Sequence, residues 1–162
     1  MTPNVVALCG SLRRDSYNRK ALAVAVRLAA EAGAEVAELD LRQLDLSLYD
    51  GDLEARGMPS NVARARELVA PADVLLIASP EYNASLSGAL KNAIDWLSRA
   101  PKILPGKWAA VFGAAPGLGG TTRGQDHLRD VLASTGVLVL PKPEVFVRGA
   151  GEAFDEAGRF TD

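Results

Sequence analysis

Two polar loops concentrate the residues whose types and spacing could do chemistry. Gly10-Ser11-Leu12-Arg13-Arg14-Asp15-Ser16-Tyr17-Asn18 follows an apolar run over residues 5–9, and Pro80-Glu81-Tyr82-Asn83 follows another that ends at Ala78. The first loop brings hydroxyls, an amide and arginine to the start of a helix, where unpaired N–H groups and the helix dipole already favour an anion. A terminal phosphate is its natural occupant. Charge-assisted hydrogen bonds contribute roughly 1.5–3 kcal/mol each against about 0.3–1 kcal/mol from the dipole, so side chains would dominate retention of that ligand. In the absence of a ligand, Ser16 would cap the helix and Arg13 and Arg14 would be solvated, which leaves their clustering unexplained. The second loop has a stiffening proline, backbone N–H groups suited to ring heteroatoms, and Tyr82 to pack beside a ring or a partner chain. A third, Ala114-Ala115-Pro116-Gly117-Leu118-Gly119-Gly120, lets backbone approach a ligand closely.

The elements that must position these loops are legible from periodicity. Strand-like runs at residues 5–9, 35–39, 74–79 and 108–113, with a short last run at 137–140 or 145–147, alternate with helix-like segments at 18–32, 61–70, 87–99 and 121–135. Such alternation indicates a parallel sheet. Several runs are almost continuously apolar, as expected for strands covered by helices on both faces. The expected architecture is α/β: a three-layer sandwich on a five-stranded parallel sheet in the order 2-1-3-4-5. In that order ligands bind beyond the carboxyl ends of strands 1 and 3, so the first two loops would flank one crevice. Residues 41–59 read as an irregular excursion near that face, with Asp50-Gly51 marking a turn.

Composition narrows the function classes. At 162 residues, 48% hydrophobic and 23% charged, the chain suits one globular domain over residues 1–162. A formal net charge of −2 with scattered signs argues against nucleic-acid and membrane partners. The single cysteine, Cys9, is compatible with a reducing compartment, and with no apparent leader the expected localisation is cytoplasmic. Cys9 and His127 are singletons, which is too little for a metal site or a Cys–His nucleophile pair. No P-loop occurs, and Thr122 stands where a dinucleotide fingerprint needs its third glycine.

Gly-Ser-Leu-Arg-Arg-Asp-Ser-Tyr-Asn at 10–18, Pro-Glu-Tyr-Asn at 80–83 and Leu-Lys-Asn-Ala-Ile-Asp-Trp-Leu at 90–97 closely resemble the NADPH-dependent FMN reductase family. That family includes flavodoxin-like quinone, chromate and azo reductases, and the resemblance extends through residues 48–53 and 154–159. It implies a flavodoxin-like fold and FMN as cofactor, with NADPH or NADH as reductant and a quinone, azo, nitro or metal-oxyanion acceptor. Ser11, Arg13, Ser16 and Asn18 would hold the phosphate, with Tyr17 also among the cofactor-binding residues. Pro80, Glu81, Tyr82 and Asn83 would address the flavin ring, and Ala115 and Gly117 would line its pyrimidine side by backbone alone. No catalytic side chain and no metal ligand is implied, because the flavin carries the chemistry. The resemblance also implies a homodimer or homotetramer with FMN near the subunit boundary. The final helix usual in the family would follow Thr161 or Asp162, so apolar strand surface is expected beside the first helix. The alternative, a flavodoxin-like electron carrier without NADPH turnover, fits less well with Arg13 and a near-neutral charge balance.

Overall fold

The computed structural model describes residues 2–161. The apolar runs become strands β1 (Asn4–Cys9), β2 (Glu35–Leu39), β3 (Val74–Ala78) and β4 (Trp108–Ala114). Between them lie α1 (Tyr17–Glu31), α2 (Leu41–Leu44), α3 (Gly51–Ala55), α4 (Ser60–Val69), α5 (Gly88–Leu97) and α6 (Thr122–Ser134). These four strands pair in parallel in the order β2-β1-β3-β4, as the alternation predicts, and the last position lies beyond β4.

The fifth position differs from expectation, because both candidate runs form strands and the sheet is six-stranded. β5 (Leu138–Val139) pairs with Trp108 and Ala109, whereas β6 (Val145–Val147) pairs with Phe112, Gly113 and Ala114. Pro141 and Pro143 lie between them. Neither has an N–H to give the ladder, so one continuous strand cannot form there.

Alternation along each strand sends side chains to two cores. Val6, Leu8, Leu75, Ile77, Ala109 and Val111 pack under α4, α5 and α6 with Val69, Leu90, Ile94, Leu128 and Leu132. On the opposite face Ala7, Cys9, Ala78, Phe112 and Ala114 meet Ala21 and Leu22 of α1, together with Ala150 and Phe154 of the C-terminal segment. That second face is incompletely covered. Val5, Val74, Trp108 and Leu138 stand in register across the sheet, yet Trp108 is 47% and Leu138 46% exposed. Thr161 is described and Asp162, the other expected helix start, lies outside the described residues.

The excursion over 41–59 is more regular than expected. Asp40 accepts from the N–H groups of Arg42 and Gln43, and Asp50 from that of Asp52, so an aspartate cap starts each of the short helices α2 and α3. Its middle is pinned to α5 by residues one helical turn apart. The Asn92 amide donates to Ser47 O (2.8 Å) and accepts from Tyr49 N (2.8 Å), and Trp96 Nε1 donates to Ser47 O (2.8 Å). Among the described residues, no helix is long and apolar enough to cross a membrane.

Candidate cofactor site

The loops after β1 and β3 converge as the topology demands. Gly10 N donates to Ala78 O at 2.8 Å, and a Cβ on Gly10 would lie 3.1 Å from Pro80, Ser87 and Leu90 side-chain atoms alike. Only glycine allows this approach without displacing a neighbour. Ser87 joins the same junction, its buried hydroxyl donating to Gly10 O (2.6 Å) while accepting from Leu90 N (3.2 Å) at the start of α5. Its hydroxyl therefore caps α5 and fastens the first loop at once. Arg42 of α2 adds a bond from Nη1 to Leu12 O at 2.6 Å. Both residues were missed by sequence reasoning, since their partners lie 77 and 30 positions away.

Capping differs among the helices: α4 begins after Pro59 with no side-chain cap bond, whereas α5 and α6 are capped. Ser87 caps α5, and Glu81 Oε2 accepts from Gly124 N in the first turn of α6 at 2.9 Å. At α1, Ser16 holds the N-cap position with φ −98° and ψ 129° but makes no side-chain cap bond. The expectation that Ser16 serves only as a cap therefore fails. Ser16 at the open N-terminus and Ser11 in the same loop are buried, Arg13 is exposed, and Ser11 Oγ accepts from Arg13 N at 3.4 Å. Uncapped amides, two hydroxyls and a guanidinium fit a phosphate group. Asn18 is placed differently from the direct ligand that the resemblance implies. Its buried amide donates to Ala114 O (2.9 Å) and accepts from Ala114 N (2.8 Å), so it braces the end of β4 against α1. One amide hydrogen remains for another acceptor. Tyr17 turns its ring toward Phe154, with centroids 6.4 Å apart and planes at 11°.

The second loop is a tight hairpin rather than a plain strand-to-helix turn. Tyr82 and Ser85 exchange backbone bonds of 2.9 and 3.1 Å, and the two residues between them, Asn83 and Ala84, have φ of 51° and 62°. That is the two-residue turn with both central residues left-handed. Asparagine tolerates this region, but alanine is strained in it by roughly 1–2 kcal/mol. Because Tyr82 N is bonded within the hairpin, it is not free to address a ring; Glu81 and Asn83 can still present theirs. Pro80 is buried and has no N–H, so it contributes shape. The Tyr82 ring is 47% exposed at the rim.

The third loop also departs from expectation in part. Ala115 N donates to Val147 O (3.0 Å) and Ala115 O accepts from Ala150 N (3.1 Å), so the C-terminal segment occupies the backbone expected to contact the ring. Gly117 O accepts from Gly120 N at 3.2 Å, which curls the loop and leaves Gly117 and Leu118 exposed.

Other parts of the molecule offer less. A groove of about 490 Å³ beside β2 is lined by Glu38, Asp40 and Glu67 against Arg64, a charge balance that repels phosphate. Burial pushes the Cys9 thiol above its ordinary value, partly offset by the Ser11 N–H, so it is a poor nucleophile at neutral pH. No group of three or more His, Cys, Asp or Glu among the described residues is arranged to hold a metal ion.

Known proteins resemble this chain in sequence and fold. An NAD(P)H-dependent FMN reductase of Pseudomonas aeruginosa is 46% identical over 159 residues, covering 98% of this chain and 84% of the relative. An NAD(P)H:quinone oxidoreductase of Solanum tuberosum is 40% identical over 163 residues, covering 98% of this chain and 82% of the relative. Among solved structures, the flavoenzyme NAD(P)H:(acceptor) oxidoreductase FerB of Paracoccus denitrificans superposes with a TM-score of 0.88 at 35% identity, covering 99% of this chain and 87% of FerB. The family model for NADPH-dependent FMN reductase matches residues 3–152. With that match spanning all three loops and every strand, the chain is an enzyme that belongs to the NADPH-dependent FMN reductase family, with FMN and NAD(P)H as its expected cofactors.

Proposed function

We propose that this protein is an FMN-dependent NAD(P)H oxidoreductase that serves quinones and related small electron acceptors in a ping-pong cycle. The uncapped N-terminus of α1, with Ser11 and Ser16 buried in the loop that leads into it, carries the reading, because α5 and α6 at the same edge are capped by protein groups. Bound FMN would supply the redox chemistry, accepting a hydride from the nicotinamide and returning it to the acceptor. Ser11, Ser16, Arg13 and the first-turn amides of α1 would hold its phosphate. Glu81 N and Asn83 N would present hydrogen bonds to the ring, stabilising negative charge that develops there. Nicotinamide and acceptor would use the same exposed side of the ring in turn. The relatives' names support this substrate class, since they are described as FMN or quinone reductases.

The domain is proposed to act as a homodimer or homotetramer, with exposed Tyr82 and Leu48 near the subunit boundary. The experiment is an anaerobic titration of flavin-loaded protein. NADPH should bleach the visible flavin band, a quinone should restore it, and steady-state double-reciprocal plots should be parallel. Intersecting lines with both substrates bound together contradict the shared side. Failure of either nicotinamide to bleach the flavin favours an electron carrier instead.

A further inference from the structure

The hairpin that would face the ring is fastened to α6. Glu81 Oε2 accepts from Gly124 N (2.9 Å), and its other oxygen lies 3.2 Å from Arg123 Nη2. The Glu81 side chain is only 13% exposed while that of Arg123 is 74% exposed, so the carboxylate is tucked in and the guanidinium lies outside. Local groups do not compete for the helix end. Thr121 Oγ1 accepts from Gln125 Nε2, and Thr122 Oγ1 donates to Gly119 O. The carboxylate therefore serves as the cap of a helix 43 residues further along the chain.

Gly124 makes the approach possible. A Cβ there would lie 3.1 Å from Glu81 Cβ, 3.2 Å from Glu81 Cγ and 3.1 Å from Ser85 O. Both ends of the hairpin thus rest on one glycine, and His127, a turn later, places Nδ1 3.2 Å from Ser85 Oγ. Between these supports stand Tyr82, Asn83 and strained Ala84. A left-handed alanine persists only where its surroundings over-determine it.

We infer that Glu81 and Gly124 are positioning residues, a carboxylate cap and a matching notch that set the hairpin's height against the flavin ring. The inference rests on the flavin reading and adds to it a role for α6 and for the Glu81 side chain, distinct from any backbone contact that residue makes. Riboflavin, which lacks the phosphate, isolates the ring contacts. The test compares riboflavin and FMN affinity by fluorescence quenching for wild type, Glu81→Ala, Glu81→Gln and Gly124→Ala, with visible circular dichroism of the bound flavin and melting of the apo protein.

Glu81→Ala should weaken both ligands by the same factor, about tenfold, as expected for losing part of one charge-assisted bond. Glu81→Gln should recover most of the loss, because its amide oxygen still accepts from Gly124 N. Gly124→Ala should weaken both ligands and alter the flavin dichroism, because a Cβ 3.1 Å from Glu81 Cβ and from Ser85 O forces the hairpin to shift. Variants that bind riboflavin like wild type, or whose affinity merely follows their melting temperature, overturn the inference and leave the proposed function standing. A wild-type protein that binds neither flavin overturns both.

Discussion

Asn18→Ala should destabilise the apo protein itself, before any ligand is added. The substitution removes two bonds, at 2.9 and 2.8 Å, that satisfy both backbone groups of Ala114 in a pocket where Asn18 is 5% and Ala114 3% exposed. An orphaned buried polar group costs about 1–3 kcal/mol, so two of them with partial rehydration cost about 2–5 kcal/mol. Measured against a typical stability of about 5–15 kcal/mol, that loss is large. Asn18→Asp should not rescue that loss, because one oxygen can accept from Ala114 N but the other has no hydrogen to donate and opposes Ala114 O in a buried site. Urea unfolding of apo protein, followed by far-ultraviolet circular dichroism, reads the difference at constant slope. An Asn18→Ala protein as stable as wild type but deficient in FMN binding would show that Asn18 is a ligand first and refute the bracing role.

Three further outcomes follow from particular residues. Ala84→Gly should leave apo stability unchanged or raise it in urea unfolding, because relief of the left-handed strain at φ 62° offsets the greater freedom of glycine in the unfolded chain; a clear loss would contradict that strain. Burial raises the Cys9 pKa above 9.0, so the unfolded chain gives up that proton first as pH rises, and the thiol's stabilising contribution, intact below about pH 9, is lost above it. Wild type should therefore lose stability faster than Cys9→Ala as pH rises above about 9, and equal slopes would contradict the upward shift. Light scattering across a concentration series should show a dimer or tetramer, and a monomer with full activity at nanomolar concentration would refute the need for assembly.

Much of the fold was legible because strand and helix signals are local. Continuous apolar runs over 5–9 and 74–78 required burial on both sides, and the loops after them had to meet once the strand order was set. The excursion over 41–59 reads as irregular, with Asp50-Gly51 as a turn, because the aspartate caps at Asp40 and Asp50 start helices of only four and five residues, too short to show a periodic pattern. What stayed hidden was the choice of distant partners. Asn18 and Glu81 carry groups that suit a ligand, yet they bond Ala114 and Gly124, which lie 96 and 43 residues away. Ser87 caps its own helix, a local role, but its bond to Gly10 is visible only in three dimensions. The division of the last strand follows from Pro141 and Pro143, whose missing donors were in plain view while the register that made them matter was not.

The proposed position of the FMN phosphate at the open end of α1 is the feature on which cofactor binding most depends. Equilibrium titration of FMN and riboflavin against wild type and Arg13→Ala separates phosphate from ring contacts. Arg13 is exposed, so solvent screening favours the lower part of the roughly 1.5–3 kcal/mol range for a charge-assisted bond, about a tenfold change in affinity. The expected result is tighter binding of FMN than of riboflavin to wild type, with that advantage reduced about tenfold in Arg13→Ala and riboflavin affinity nearly unchanged. Equal affinities for the two flavins in wild type, or equal losses of both in Arg13→Ala, would contradict a phosphate at the open end of α1.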